Sequence, residues 1–412
     1  MDASATCEVT SDRASWILTH MHEVVENFMS FLPAKMLNTC ARVCKCWNTV
    51  ATKVLRHRQS ISWAVYQPAV LSPDEDDSEE DSSGSCDDND DNDDRDECDE
   101  LRSSFTTELE KCLQNCCSIP RLALLFMEPD SDSLFPENGA SAGNSIESYL
   151  HQCLPPNCQL VGFNTPGVIS TSQDMMHISE SESQKESCAC ILVPKMNGVN
   201  IHILKISKKE FLKGCHRENI LSTMGAPDDV DLKCIILIGF NRFAFQAMGQ
   251  VVNYLHDAFR KRNRAVVIVG AYANDIVTPR TLEEEERKTG ILGIGFSGPN
   301  VQAASVILDS KVSKLDHAIT EIQKLKQAGL DEKKSIAFMF ACIGRGHYYY
   351  NEYNVESTAF KSVFPTTPLF GFFGNGEIGC EQLRCGPIEE TAKSRPELVH
   401  AYTSVFCMLS FK

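Results

Sequence analysis

Apolar residues recur at Met21, Val24, Val25, Phe28, Phe31 and Leu32, the i, i+3, i+4, i+7 spacing that lays one apolar stripe along a helix. Pro33 ends that helix or opens the next one as its first residue. Leu37, Cys40, Val43, Cys44 and Trp47 then form a second apolar face, which Val50, Val54 and Leu55 extend towards Arg58. The pattern predicts a small all-helical module over 16–67, in which Trp63 and Tyr66 lead out towards Pro68. A unit of that size buries a low fraction of its surface, so apolar side chains are left over for a partner.

From about Leu101 the periodicity changes to short apolar runs separated by helical stretches, and a weak internal repeat is visible. The first copy is RLALLFM at 121–127, a helix near 145–153 and QLVGFNTPGVI at 159–169, followed by CACILV and a strand near Ile201. The second is KCIILIGF at 233–240, a helix through 244–260 and AVVIVGAYAND at 265–275. Two β-like runs then flank Gly298-Pro299-Asn300, which reads as a hairpin. The third copy is SIAFMFACIGRG at 335–346, a helix over 355–363 and PLFGFFGNGEIG at 368–379, with AYTSVFCMLSF closing the chain. Repetition of a βαβ-like unit predicts one large sheet-based domain over 101–412 with helices packed outside. Runs as continuously apolar as AFMFA imply strands buried on both faces.

Charge separates these two regions. The chain of 412 residues has a formal charge of -17, but the stretch 74–100 alone holds 17 carboxylates against the single Arg95, so the remainder is nearly neutral. Without an apolar residue to build a core, that stretch cannot offset its ordering entropy, and a disordered acidic linker is expected over 72–100. A nearly neutral remainder excludes a broadly basic nucleic-acid surface, and no apolar run reaches the length of a membrane span. The first residues contain neither a basic region nor an apolar core of the secretory kind. Nineteen cysteines in such a chain are expected to be mostly buried free thiols of a reducing compartment, the cytoplasm or additionally the nucleus. None of their groupings has the paired C-x-x-C knuckles of structural zinc, so no metal and no cofactor is expected. The basic run 260–264 has the composition of a nuclear-import signal, although cations at a helix C-terminus are also favoured by the macrodipole.

Two loops carry the candidate chemistry. FACIGRGHYYYNEY places Cys342, Arg345 and His347 directly after a buried-type strand. A thiol at a strand end beside backbone amides and a guanidinium has reason to be acidic and nucleophilic, or else Cys342 simply fills the sheet. Gly344 and Gly346 in this loop, with Gly371, Gly374, Gly376 and Gly379 in the next, follow successive strands, where α/β proteins place ligands. Either they serve tight turns, or Cys342, Gly344, Arg345, Gly346, Asn375 and Glu377 line a small-ligand or substrate site. GNGEIG is neither G-x-G-x-x-G nor a Walker A loop, and Glu377 would repel a phosphate. No G-x-S-x-G, H-E-x-x-H or EF-hand pattern occurs in the chain.

The first module resembles an F-box: Phe28, Phe31, Leu32, Leu37, Val43, Cys44 and Trp47 fall at that family's apolar positions, and the Val-Cys-x-x-Trp ending is intact. The family's usual Leu-Pro opening is here His20-Met21. The large domain resembles a FIST domain, with FMFACIGRG and PLFGFFGNGEIG its most recognisable phrases. The resemblance implies a mixed α+β and α/β chain, with the helical F-box module and the FIST domain joined through the acidic linker. It further implies a non-catalytic substrate receptor of a ubiquitin ligase, whose seven F-box residues bury against Skp1 and through it reach a cullin-RING ligase. Protein substrates would be presented for ubiquitination and proteasomal degradation. The FIST family's association with small ligands keeps open the alternative of a metabolite sensor.

Overall fold

The computed structural model describes residues 14–18, 20–66, 105–128, 146–182, 187–227, 229–277, 289–387 and 396–412. The acidic linker expected over 72–100 lies outside them.

Three helices form the N-terminal module: α1 (His22–Met29), α2 (Ala34–Cys40) and α3 (Lys45–His57). Val25, Met29, Leu37, Val50, Ala51 and Val54 make its core, as the helical spacing of these residues requires. Cys44 begins α3 as its N-cap, its Sγ accepting from the Trp47 backbone N–H at 3.5 Å, which accounts locally for the Cys-x-x-Trp spacing. The helical module ends earlier than its expected limit of 67. Ser62–Tyr66 is a β-strand, β1, paired antiparallel with Cys188–Leu192 of the large domain. Alternating Trp63, Val65 and their neighbours suit a pleated surface, and the helical reading of the preceding residues does not extend past Arg58.

The module therefore packs directly on the large domain. Arg58 fastens the joint: its guanidinium donates to the carbonyls of Met29, Ser30 and Leu32 in the module and of Cys117 in the large domain. Ala34 N–H also donates to Cys116 O at 2.9 Å.

The expected repeat is present, but as three interlocked sheets. After β1 come a helix α4 (105–115), β2 (Pro120–Met127), α5 (Ile146–Cys153), β3 (Gln159–Asn164), β4 (Gly167–Thr171), β5 (Ile178–Ser181) and β6 (Cys188–Pro194). The second unit has β7 (Asn200–Ser207), β8 (Leu232–Gly239), α6 (Arg242–Lys261), β9 (Arg264–Ala265), β10 (Val267–Tyr272), β11 (Asp275–Val277) and β12 (Thr289–Ser297). The third has β13 (Val301–Leu308), α7 (Leu315–Gln323), β14 (Ser335–Cys342), α8 (Val355–Val363), β15 (Leu369–Gly374), β16 (Glu377–Ile378), β17 (Gly386–Pro387), β18 (Val399–His400) and β19 (Ser404–Phe411).

The sheet orders are β1-β6-β2-β3-β11, β7-β12-β8-β10-β16-β18 and β13-β19-β14-β15-β4-β5, with β9 and β17 forming a small separate pair. Each large sheet is built around one parallel pair, β2/β3, β8/β10 or β14/β15, flanked by antiparallel strands. The strand after each pair leaves its own unit: β4 joins the third sheet, β11 the first and β16 the second. The runs 159–169, 265–275 and 368–379 accordingly each divide between two sheets, the first part in the parallel pair and the second in a strand of another sheet. Likewise, β12 and β13 do not pair across Gly298-Pro299-Asn300; they lie in neighbouring sheets, so the expected hairpin is a crossing between sheets.

Gly162, Gly270 and Gly371 occupy the same place in the three parallel pairs, opposite Leu125, Leu237 and Met339. At Gly371, φ is +154°, and a Cβ would fall 1.8 Å from the Met339 carbonyl oxygen, so the strand closes on its neighbour only with glycine there. The inner faces of all three sheets share one core that includes Phe126, Phe163, Ile236, Val269, Phe340 and Phe372. Helices cover the outer faces: α4 and α5 on the first sheet, α6 on the second, α7 and α8 on the third. Sheets buried on both faces explain the unbroken apolar strands. Among the described residues, no helix is long and apolar enough to cross a membrane.

Candidate functional site

Two places collect the residues that the sequence singles out. On the module, Phe31 is 82% and Val43 63% exposed, and Phe28 stands partly exposed with its ring 5.7 Å from that of Trp47. Phe28 lies on α1, while Phe31 and Val43 lie in the turns after α1 and α2; the core of the module is filled by Val25, Met29 and Leu37 with residues of α3. Trp47 is half-buried, and its Nε1 donates to Leu18 O at 2.6 Å, which ties the segment before α1 to α3. Leu32 is also half-buried, while Leu37 is wholly enclosed. Of the seven residues assigned to partner contact, Leu37 thus acts from within the module, and Cys44 acts as a helix cap. The opening residues His20 and Met21 are exposed, with Met21 heading α1.

The second place is the C-terminal end of β14 and β15. Here the structure brings Cys342 and Glu377 together: Glu377 is fully buried, with Oε2 accepting from the Thr403 N–H at 3.2 Å and its hydroxyl at 2.8 Å, and the Cys342 thiol is a further hydrogen-bond partner. Burial outweighs these bonds and pushes the Glu377 carboxyl up to about 7. Its Oε1 is buried without a partner. The Cys342 thiol is also raised, first by burial, with Glu377 adding to the effect. Of the two alternatives for Cys342, its burial and raised thiol favour the one in which it fills the sheet. The His347 ring stacks on that of Tyr353 with centroids 3.9 Å apart. Asn375 stands exposed, its backbone N–H donating to Tyr272 O at 3.1 Å. A Cβ on Gly344 would touch the Tyr402 ring at 3.3 Å.

Arg345 departs from the proposed lining altogether. It is 1% exposed, and its guanidinium is bonded to Glu356 at 2.6 Å, to the carbonyls of Asp309, Val312 and Tyr402, and to Tyr350. With its donors taken up inside the protein, it holds the loop in place and offers nothing to a ligand. Gly346, at φ +88°, turns the chain where a Cβ would collide with the Glu182 carboxylate, and that carboxylate accepts from His347 N–H.

The carboxylates around this loop escaped the sequence reading. Glu180 and Glu182 extend from β5, and Glu356 opens α8. Glu180 is buried beside Glu356, accepting from Ser357 N–H; burial, then the Glu356 charge, pushes it up to about 8. Their signal was present in Ser179-Glu180-Ser181-Glu182, where alternation puts both carboxylates on one face of a strand. Among the described residues no group of three or more His, Cys, Asp or Glu is placed to hold a metal ion.

Comparison with known proteins places the chain beside two kinds of relative. The FIST C domain matches residues 294–380, which run from within β12 to just beyond β16 and contain Cys342, Arg345 and Glu377. F-box only protein 22 of Homo sapiens is 29% identical over 419 residues, covering 96% of this chain and 94% of the relative. The Pongo abelii protein of the same name is 28% identical over the same shares. A solved cyanuric acid hydrolase from A. caulinodans aligns with 86% of this chain and all of its own at 10% identity, with a TM-score of 0.33, too low to carry an argument. The chain thus resembles F-box only protein 22 along nearly its whole length, and residues 294–380 match the FIST C domain.

Proposed function

We propose that this protein is the substrate receptor of an SCF-type ubiquitin ligase, docking on Skp1 through the helical module and holding target proteins on the large domain. The observation that carries the reading is the exposure of the apolar side chains Phe28, Phe31 and Val43 on a module whose own core is complete without them. Such side chains are worth about 1.5–3 kcal/mol each when buried, before the costs of association. Ubiquitin transfer would then follow from proximity, since a bound substrate lysine near a charged E2 reacts as though intramolecular. No side chain of this protein forms a thioester in that scheme, in keeping with the raised thiol of Cys342.

The experiment is Skp1 capture by full-length protein and by the F31A/V43A variant. Wild type should retain Skp1, and the variant should lose most of it while keeping its melting temperature. Equal capture by a folded variant would remove the reading.

A second reading rests on Glu377, whose unpartnered Oε1 lies at the strand ends beneath the Gly344 and Asn375 loops. A small ligand bearing a hydrogen-bond donor would satisfy that oxygen and raise the melting temperature by mass action. A metabolite screen against wild type and E377A tests it, and a ligand that stabilises both proteins alike is not bound there.

A further inference from the structure

The strands β7, β13 and β1 each edge one of the three sheets, and two of them are entered by a direct crossing from the preceding sheet. Residues 195–199 carry β6 of the first sheet into β7 of the second, and 298–300 carry β12 of the second into β13 of the third. These crossings lock together, with Asn300 N–H donating to Gly198 O at 3.2 Å and Asn300 Nδ2 to Asn197 O at 2.9 Å. At the third meeting, of the third sheet with the edge strand β1, no such crossing leads into the edge strand, because β1 is entered from the helical module; the first and third sheets are joined instead by the passage from β3 to β4. Gln59, on that approach, reaches the same end of the molecule and accepts from Asn197 N–H at 3.2 Å.

What remains at the third meeting is a cleft of about 540 Å³ between the module and the large domain, within the range of sites that hold ligands. Ile61, Trp63 and Phe411 give it apolar walls, and Lys333, Lys334 and Lys412 give it cationic side chains, with no carboxylate side chain in the lining. Neither Lys333 nor Lys334 forms an ion pair with a described residue. The neighbouring carboxylates are engaged: Asp331 accepts from Lys333 N–H at 3.1 Å, and Glu332 lies 3.5 Å from Lys326 Nζ. Trp63 Nε1 is buried without an acceptor. Met175, also lining the cleft, is held at φ +62° with its carbonyl taking a hydrogen bond from Lys361 Nζ.

We propose that this open seam binds an acidic peptide segment of a partner protein, anchored by an apolar side chain against Trp63 and Phe411 with carboxylates on Lys333 and Lys334. Nearly all of the formal charge of -17 lies on 74–100, so at the cleft the local lysines decide the attraction of an anionic segment. The apolar walls suit a side chain that a small inorganic anion lacks. As the recognition surface of a ligase receptor, the seam depends on the function proposed above for its consequence, but the binding itself does not require Skp1.

The test uses full-length protein and a fluorescein-labelled Glu-Glu-Leu-Phe-Glu-Glu peptide, with Lys-Lys-Leu-Phe-Lys-Lys as control. Anisotropy should show saturable binding of the acidic peptide only, weakening with salt, at least tenfold weaker with K333E/K334E and less affected by K333Q/K334Q. The Trp63 indole proton resonance, identified with W63F, should shift on titration. Skp1 capture by K333E/K334E should match wild type, so a failure of docking and a failure of the seam register separately. The proposal is overturned by absence of saturable binding, by equal affinity of K333E/K334E, or by an unmoved Trp63 resonance. It is likewise overturned if an oligodeoxynucleotide competes as well as the acidic peptide. Removing residues 74–100 should leave the affinity unchanged; a large gain would identify the protein's own acidic stretch as the occupant, against a partner.

Discussion

The helical module and the β14/β15 loop of the large domain invert each other's chemistry. The module keeps a small core and wears Phe31 and Val43 outside, whereas the loop buries Arg345, Glu356 and Glu377 among apolar strands. Exposed apolar groups gain by meeting a partner and lose little when removed from the free protein. Buried charges behave oppositely, because each is tolerable only while its own partners remain. A residue's type and position near a strand end therefore did not decide between ligand contact and internal support; burial did.

That contrast can be broken most forcefully at Arg345. Replacing it by Met should cost about 3–5 kcal/mol by leaving Glu356 buried without its cation, read as a large fall in melting temperature. A fall of a few tenths of a kcal/mol would mean that the loop does not depend on the pair. Next in size is the effect of pH through Glu377. Its folded value is about 7, above the 4.5 of an ordinary carboxyl, so the folded state holds its proton more tightly. Stability from this group is complete below about pH 4.5 and is lost as pH rises through 7. Against wild type, E377Q should gain stability between pH 5 and 8 by an amount approaching about 3 kcal/mol, since each tenfold difference in proton affinity is worth about 1.4 kcal/mol. A difference between the two proteins that stays constant with pH would refute the assignment.

Arg58→Ala probes the joint between the two regions. Loss of its bonds to carbonyls on both sides should cost about 2 kcal/mol and raise hydrogen exchange in α1 and α2. Unchanged exchange there would show that β1 alone holds the module. The smallest effect on stability belongs to F31A/V43A, expected within about 0.5 kcal/mol of wild type in urea denaturation. A larger loss would place those side chains in a core after all.

Much of this fold was legible in apolar periodicity, because the paired helical spacings of α1 to α3 and the buried strands on either side of α5, α6 and α8 are local patterns. The exchange of β4, β11 and β16 between sheets was not, since partner choice depends on contacts far apart in sequence. Apolar residues on both sides of Gly298-Pro299-Asn300 fit a hairpin as well as a crossing. Ser62–Tyr66 is too short for its alternation to outweigh the helical pattern before it. For the site, glycines after successive strands correctly marked the strand ends, and the closeness of Cys342 to Glu377 followed from β14 and β15 being neighbours. Arg345 was misread because its partners, Glu356 and three carbonyls, come together only in the folded chain.

The passing of strands from unit to unit has a consequence for how the protein is made. As the ribosome releases the chain, the first sheet waits for β11, the second for β16, and the third, already holding β4, for β19 near residue 411. Each emerging unit must stay partly unpaired, with apolar edges exposed, until its successors arrive, and long-range pairing of this kind is slow. Fragments are under the same constraint. A piece starting at 101 would lack β1 and leave the β6 edge bare, so this protein should be cut before its first helix or left whole.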